Sequence, residues 1–298
     1  GHSNKYLAEK INQQMLKLEH VAFGGFTHPQ AVDLAEKVIY KTPANIKKIF
    51  FSDNGSTANE VAMKMSIQYW NNLSQPRDRF IAFQGAYHGD TFGSMCLTAR
   101  GGFNEPFERF MFDVDFIPLP NSNNDKEVIK TFKQLIDKGD VAAFIFEPIV
   151  QGASGMNIYN ESTLSELIYY AKKANVITIA DEVFTGFGRT GTWLAVDHLE
   201  NKPDILCLSK ALTGGFLPLG LTAVSQHIFD GFYSDEPKHT FLHGHSYTGS
   251  PLCCAAANAS IELMDCEDFW KHVNKISKRM SYNIDKIKSK KKVRAARS

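Results

Sequence analysis

Residues 203–215 read PDILCLSKALTGG, a short apolar run that ends on Ser209 and Lys210 with two glycines close behind. Apolar runs of this length are typical of buried strands. A lysine at the end of such a strand has three common uses: a structural ion pair, a general base, or a Schiff base with a carbonyl group. The rest of the sequence must distinguish among them.

Apolar runs alternate with amphipathic stretches along most of the chain. Strands are predicted at KKIFFSD (47–53), RFIAFQG (79–85), DVAAFIFEP (140–148), VITIAD (176–181), DILCLSK (204–210) and LTAVS (221–225). Helices are predicted at TANEVAMKMSIQYW (57–70) and STLSELIYYAKKAN (162–175). Short apolar strands separated by helices indicate an α/β fold with a mostly parallel sheet and helices on both faces.

Composition limits the classes of function. The chain has 298 residues, is 43% hydrophobic and carries a formal net charge of +1, so no general attraction to nucleic acid or an anionic membrane is expected. No apolar run approaches the roughly 20 residues of a membrane span. Its five cysteines show no CxxC spacing, and His243 and His245 lack a third ligand at metal-site spacing. We expect a cytoplasmic protein that acts on small molecules and binds no metal.

Polar residues follow four of the apolar runs: Asp53, Glu147, Asp181 and Lys210. The carboxyl ends of parallel strands gather at one edge of an open sheet, where ligands bind. The carboxylates and the lysine are therefore predicted to converge on one cleft. The alternative explanation is that any strand must end in polar residues where it leaves the apolar core. This explanation is weaker for four such strand ends than for one.

Gly55, Ser56 and Thr57 are predicted to begin a helix. Free backbone N–H groups and a hydroxyl at that position suit a phosphate, although Ser and Thr are also ordinary helix caps. A cofactor with a phosphate, an aldehyde for Lys210 and a ring nitrogen for Asp181 would explain these features together. Pyridoxal 5'-phosphate (PLP) has all three groups.

Five segments carry a resemblance to a known family: FFSDNGSTANEVAMKMSIQYW (50–70), GAYHGDTFGSM (85–95), IADEVFTGFGRTG (179–191), PDILCLSKALTGG (203–215) and HGHSYTGSPLCCAAANAS (243–260). In this order and spacing they resemble the class III PLP-dependent aminotransferases. The resemblance implies a fold-type-I transferase that works as a homodimer with shared active sites.

The resemblance also implies a domain division. Residues 1–264 are expected to form the large PLP-binding domain, and residues 265–298, which are more polar and lysine-rich, to begin a smaller C-terminal domain. The chain starts without Met, and a strand is predicted to start at Val293–Ala296. We therefore expect that segments of the whole protein are missing at both ends.

Within the family, HVAFGGFTH (20–28), YHGDTFG (87–93) and SKALTGG (209–215) are most similar to members that move an amino group from S-adenosylmethionine to 8-amino-7-oxononanoate in biotin synthesis. Two alternatives stay open. One is another class III aminotransferase that uses an ω-amino acid or lysine as the donor. The other is an inactive fragment, because family members also contact substrate through regions near both ends.

The resemblance assigns roles to four residues around the cofactor ring. Lys210 is expected to form the Schiff base with PLP and later to shuttle a proton. Asp181 is expected to keep the pyridine nitrogen protonated. Tyr87 is expected to stack on one face of the ring and Val183 to close the other face.

Further roles concern the phosphate. Gly55 and Ser56 are expected to bind it from the helix start, while His245 and Ser246 are expected to reach it from the neighbouring subunit.

The remaining roles concern the substrate and its surroundings. Gly244 and the Phe23–Gly25 segment, including Gly25, are expected to line the substrate channel, and Asp90 to contact the amino donor. Glu147 either bonds near the ring hydroxyl or positions its neighbours. His88 is either catalytic or, as we favour, orients another residue.

Overall fold

The computed structural model describes residues 2–102 and 104–290, together with Val293 and Ala296. The strands are β1 (Ile46–Ser52), β2 (Arg79–Phe83), β3 (Val114–Ile117), β4 (Val141–Phe146), β5 (Val150–Gln151), β6 (Asn157–Ile158), β7 (Ile177–Asp181), β8 (Ile205–Leu208) and β9 (Gly220–Ser225). The α-helices are α1 (Lys5–Met15), α2 (Pro29–Lys41), α3 (Gly55–Asn72), α4 (Phe92–Leu97), α5 (Asp125–Ile136), α6 (Glu161–Lys173), α7 (Gln226–Asp230), α8 (Pro251–Met264) and α9 (Glu267–Ile287).

A seven-stranded sheet in the order β1-β9-β8-β7-β4-β2-β3 forms the centre of the molecule. The pairs β8–β7, β7–β4, β4–β2 and β2–β3 are parallel, whereas β9 is antiparallel to both β1 and β8. The mostly parallel sheet predicted from the sequence is confirmed. Because β9 runs the opposite way, it begins at the edge where the other strands end.

Helices cover both faces of the sheet, as predicted. In β4, Phe144 and Phe146 point into one apolar core, which contains residues of α2, α5, α6 and α8. Ala143 and Ile145 point into a second core, which contains residues of α3. This alternation follows from the two-residue period of a strand. It explains why β4 reads as a continuous apolar run, since all six of its residues are buried.

β3 and several helices, including α2, α5 and α8, were not predicted from the sequence. β3 is a four-residue edge strand whose first three residues are only partly buried. α8 is buried on most of its surface and packs against α1 and α2. A helix buried all round lacks the amphipathic period that identifies surface helices.

The chain changes character after residue 264. α9 contains no buried residue, and near its start Phe269 packs partly against the core. The division into two domains stays a prediction. The strand predicted at Val293–Ala296 includes two positions outside the described residues. None of the described helices is long and apolar enough to cross a membrane.

Stability should depend strongly on the aromatic cluster around Phe144. Its fully buried ring lies 5.3 Å from that of Phe83, 4.9 Å from Phe132 and 5.0 Å from Phe146, measured between ring centroids. We expect Phe144→Ala to lower the free energy of unfolding by about 3–5 kcal/mol, because it leaves a cavity. Urea denaturation measures this. The control Tyr40→Ala removes a side chain that is 83% exposed and should cost about 0.5 kcal/mol or less. Equal losses in the two variants would contradict the placement of Phe144 in the core.

Candidate active site

A cleft with a volume of about 990 Å³ lies at the edge of the sheet where β1, β4, β7 and β8 end. The four polar residues at these strand ends, Asp53, Glu147, Asp181 and Lys210, all line it. The structure thus brings together the residues that were predicted to converge. The cleft is also lined by Gly55, Ser56, Tyr87, Asp90 and Val183 from the set of predicted site residues.

The carboxylate of Asp181 is held in a fixed orientation at the end of β7. It is 4% exposed; its Oδ2 accepts hydrogen bonds from His88 Nδ1 at 2.7 Å and Asn59 Nδ2 at 2.8 Å. Its Oδ1 accepts the backbone N–H of Val183 at 3.1 Å. A carboxylate offers about four acceptor positions, so these bonds leave capacity for one more partner in the cleft.

His88 supports Asp181 from inside the protein. Its side chain is completely buried, and Nδ1 donates to the Asp181 carboxylate. Of the two interpretations of His88, this geometry favours the one in which it orients another residue.

Lys210 is the first residue of a 3-10 helix, Lys210–Thr213, directly beyond β8. Its φ of +47° lies in the left-handed region that non-glycine residues rarely adopt, and such strain is often found at functional sites. Its side chain is exposed, and Nζ lies 5.7 Å from the centroid of the Phe184 ring. Lys210 forms no ion pair with the described part of the chain, so of its three possible uses the structural ion pair has no support.

The first turn of α3 faces the cleft with free backbone donors. Asn54 is the N-cap: its side chain accepts Thr57 N–H at 2.9 Å, and Thr57 Oγ1 accepts Asn54 N–H at 3.1 Å. The cap is therefore Asn54 and not Ser56. No carbonyl of the helix can pair with the N–H groups of Gly55 and Ser56, so they suit an anion.

Glycines let the walls of this part of the cleft approach one another closely. A Cβ on Gly55 would lie 2.5 Å from Val183 Cγ1, and one on Gly89 would lie 2.3 Å from Ser56 Oγ. Gly89 also has a φ of +121°. The Ser56 hydroxyl bonds Thr91 Oγ1 at 2.7 Å and accepts Thr91 N–H at 3.1 Å.

Tyr87 projects from the segment that follows β2. Its hydroxyl donates to Asp90 Oδ2 at 2.9 Å. Burial, together with the Asp90 carboxylate, raises the pKa of Tyr87 to about 12, so the phenol stays protonated and neutral at physiological pH.

Glu147 joins this segment to the loop that contains Gly152. Its Oε1 accepts Tyr87 N–H at 3.1 Å and its Oε2 accepts Gly152 N–H at 2.7 Å. Burial raises the pKa of Glu147 above its ordinary value. With both oxygens bound to backbone amides, Glu147 positions its neighbours, which was one of its two predicted roles.

Four of the predicted residues do not line the cleft of their own chain. Gly25, Gly244, His245 and Ser246 lie outside its lining. His245 contacts a residue of the cleft lining, with its Nε2 3.9 Å from Asp53 Oδ1. Ser246 and Gly25 are exposed. Their roles remain predictions.

Sequence reasoning missed several cleft residues, including Asn59, Thr91, Phe184 and the segment 215–219. Asn59 lies four residues after Gly55 on α3, so helical periodicity alone could have placed both on one face. The segment 215–219 precedes β9. It reaches the cleft only because that strand is antiparallel, which the sequence did not indicate.

Glu182, the residue after Asp181, is fully buried beneath the cleft wall. Its Oε2 accepts the Thr185 hydroxyl at 2.5 Å, and its Oε1 accepts Val196 N–H at 2.8 Å. Burial raises the pKa of Glu182 to about 7. The carboxyl group thereby holds both ends of the loop 183–196, whose first two residues line the cleft.

Comparisons with known proteins agree with one another. A family model described as aminotransferase class-III matches residues 1–298. The chain is 50% identical over 272 residues to the adenosylmethionine-8-amino-7-oxononanoate aminotransferase of Synechococcus elongatus, covering 89% of this chain and 64% of that protein. It is 37% identical over 304 residues to the protein of the same name from Staphylococcus aureus, covering 97% and 67%.

Solved structures show the same fold. The crystal structure of adenosylmethionine-8-amino-7-oxononanoate aminotransferase from Methanocaldococcus jannaschii matches with a TM-score of 0.94 at 34% identity, covering 100% of this chain and 69% of that one. A PLP-bound amine transaminase from an uncultivated Pseudomonas species matches with a TM-score of 0.87 at 29% identity, covering 96% and 69%. The chain thus spans about two thirds of the length of these relatives, and 64% of the Synechococcus protein.

The raised pKa of Glu182 predicts a pH-dependent stability. In the unfolded chain the pKa of the Glu182 carboxyl is near 4.5, so the folded chain binds its proton more tightly. The stabilisation that results is complete below about pH 4.5 and is lost as the pH rises through about 7. Gln at this position is always neutral and can keep both hydrogen bonds, since the Thr185 hydroxyl can also accept. From about pH 5 to pH 8, Glu182→Gln should therefore gain stability relative to the wild type, by up to about 3 kcal/mol.

Urea denaturation at the two pH values measures this difference. The exposed Glu166→Gln is the matched control and should change stability little at either pH. If the difference in unfolding free energy between Glu182→Gln and the wild type does not change with pH, the prediction is wrong.

Proposed function

This chain belongs to the class-III aminotransferase family, and on that basis we propose that it transfers an amino group from S-adenosylmethionine to 8-amino-7-oxononanoate in biotin synthesis. The product is 7,8-diaminononanoate, and the protein works in the cytoplasm as a homodimer. One observation carries the proposal: a lysine with no ion pair among the described residues and an oriented buried carboxylate face one cleft, in a chain 50% identical to a relative of that name.

The residues of the cleft fit PLP. Their chemistry comprises an amine at Lys210, a carboxylate with remaining acceptor capacity at Asp181, and free N–H groups at Gly55 and Ser56. These match the aldehyde, the ring nitrogen and the phosphate. When bound, PLP supplies an electrophilic carbon and a ring that accepts electrons.

Lys210 Nζ is the amine that would hold PLP covalently. Because it has no charged partner in the described part of the chain, it would lose no ion pair in doing so. As a free neutral amine, the same nitrogen would take a proton from one carbon and deliver it to another. The two glycines that follow, Gly214 and Gly215, both have positive φ and shape the loop behind it.

Asp181 would hold a proton on the ring nitrogen of PLP. A carboxylate in a buried position stabilises a positive charge more strongly than one in water. His88 and Asn59 keep its second oxygen occupied, so the carboxylate cannot rotate away from the cleft.

Tyr87 and Val183, which both line the cleft, would enclose the ring from its two faces. The Tyr87 hydroxyl bond to Asp90 fixes the phenol, and the contact of Val183 with the start of α3 fixes the aliphatic face. Asp90 is exposed at the mouth of the cleft, where its carboxylate can contact the amino group of the donor.

The homodimer completes each site. The segments that contain Gly25, Gly244, His245 and Ser246 are flanked by exposed apolar side chains: Phe26 is 66% exposed, Leu242 84% and Tyr247 68%. Exposed apolar residues of this kind mark interaction surfaces. A second copy of the chain would cover them and would bring His245 and Ser246 to the phosphate bound in the other subunit, with Gly25 and Gly244 in its substrate channel.

The function predicts a measurable reaction and a specific covalent site. Purified protein with PLP, S-adenosylmethionine and 8-amino-7-oxononanoate should form 7,8-diaminononanoate, and lysine in place of S-adenosylmethionine should support a much lower rate. Lys210→Ala should lower the rate about a thousandfold or more, because the amine that moves the proton is lost. Borohydride reduction followed by peptide mapping should find the cofactor on Lys210.

The exposed Lys138→Ala is the matched control and should keep full activity. Cofactor attached to another lysine would refute the role of Lys210. A higher rate with lysine than with S-adenosylmethionine would refute the proposed donor.

The shared site predicts that two inactive variants restore each other. Lys210→Ala and Ser246→Asp each disable one component, the second because its carboxylate repels phosphate. If Ser246 serves the neighbouring subunit, a mixed dimer contains one site with both defects and one site with neither. Equal mixing with full subunit exchange should restore about a quarter of the wild-type activity, since half of the dimers are mixed and each has one intact site.

The control pairs Lys210→Ala with Asp181→Asn. Both residues line the cleft of the same chain, so every site in the mixed dimer keeps one defect and no activity should return. If the Ser246 pair also fails to recover activity despite demonstrated exchange, Ser246 serves its own subunit.

A further inference from the structure

His28 connects two distant parts of the chain from a buried position. It is 4% exposed and is the N-cap of α2, where its Nδ1 accepts Ala31 N–H at 3.3 Å. Its Nε2 lies 2.6 Å from the carbonyl oxygen of Gly249, which is 221 residues away. One ring thus bonds the start of a helix on one side and a loop on the other.

These two contacts specify the state of the ring. A carbonyl oxygen only accepts, so Nε2 must carry the hydrogen, while Nδ1 must be unprotonated to accept from the backbone. Both bonds are satisfied by the same neutral tautomer. Loss of either hydrogen bond would leave a buried polar atom of the ring without a partner, which costs free energy. The ring is therefore held in this one orientation.

The residues around this contact favour the same arrangement. The Phe23 ring packs edge-on against His28 at 5.8 Å between centroids. A Cβ on Gly249 would lie 3.0 Å from Phe23 Cδ2, and Gly249 has a φ of +63°, so a side chain there would be strained. Phe23, His28 and Gly249 form one packed unit, which we term the His28 contact.

The loop that the His28 contact holds comprises residues 243–250. It is internally folded: His245 N–H donates to Thr248 Oγ1 at 3.0 Å, and Ser250 N–H donates to the carbonyl of Tyr247 at 3.1 Å. α8 begins at Pro251, directly after the loop, and at the other end Lys64 Nζ lies 2.9 Å from His243 Nδ1. Between these ends, the bond of Gly249 to His28 holds the loop against the segment that contains Phe23.

We propose that His28 is a positioning residue for the loop 243–250, and that its bond to Gly249 sets the affinity for PLP through His245 and Ser246. The proposal rests on the function proposed above in one respect, namely that this loop contacts the phosphate. His28 itself is buried and lies outside the cleft lining, so it would act on the cofactor only through the loop.

Two conservative variants separate the two bonds of the ring. An Asn oxygen takes the place of Nδ1, so His28→Asn keeps the helix cap but is too short to reach Gly249. A Gln amide nitrogen takes the place of Nε2, so His28→Gln keeps the donor to Gly249 and loses the cap. If His28 serves only as the cap of α2, His28→Gln should be the more damaging variant. If His28 positions the loop, His28→Asn should be the more damaging one.

Hydrogen exchange of the backbone amides in residues 244–250 and PLP titration of the apoprotein are the two readouts. For His28→Asn we expect loop exchange to be faster by about tenfold and the dissociation constant of PLP to be higher by about tenfold, whereas His28→Gln stays near the wild type. Asn160→Ala, which removes the cap of α6 away from the cleft, should lower stability without changing either readout.

Unchanged loop exchange in His28→Asn would overturn the proposal directly. Faster exchange with an unchanged dissociation constant would overturn it as well, because the bond would then hold a loop that does not serve the cofactor. Neither result affects the role of Lys210. Failure of the wild-type protein to bind PLP would instead refute the proposed function, while exchange would still report whether His28 holds the loop.

Discussion

The carboxylate of Asp181 is the interaction on which the rest of the site depends. A buried negative charge is costly unless hydrogen bonds compensate it, and here they come from Asn59 on α3, from His88 after β2 and from the backbone of Val183. These bonds fix the helix start, the Tyr87 segment and the end of β7 relative to one another. The walls of the cleft are therefore positioned by the same group to which we assign part of its chemistry.

Much of this arrangement could be predicted from the sequence. Each strand that reads as an apolar run is present, because β-branched and aromatic residues buried on both faces leave a continuous signal, as in β4 and β7. Where such a run ends, the next polar residue must lie at the sheet edge. For that reason Asp53, Glu147, Asp181 and Lys210 could be placed together before any contact was known.

The contacts that orient these groups could not be predicted in the same way. Asn54 caps α3 although Ser and Thr stand beside it, and the choice depends on the local backbone. The partners of Glu147, Glu182 and His28 lie in loops whose path follows from packing and not from periodicity. α8 is buried on most of its surface, so no single face of it indicated which helices would cover it. Periodicity predicts where helices and strands lie along the sequence. The hydrogen bonds between loops become visible only in the folded structure.

The reversed direction of β9 has a consequence for how proteins of this fold diverge. Since β9 begins at the cleft edge, the connection from β8, residues 209–219, stays at that edge and forms part of the cleft wall. Its two ends are fixed by the pairing of Cys207 with Thr222 and of Leu208 with Leu221. Substitutions in residues 215–219 can therefore reshape the space offered to a substrate while β8, which ends two residues before Lys210, keeps its register. New substrate preferences can evolve on this scaffold without moving the amine to which we assign the reaction.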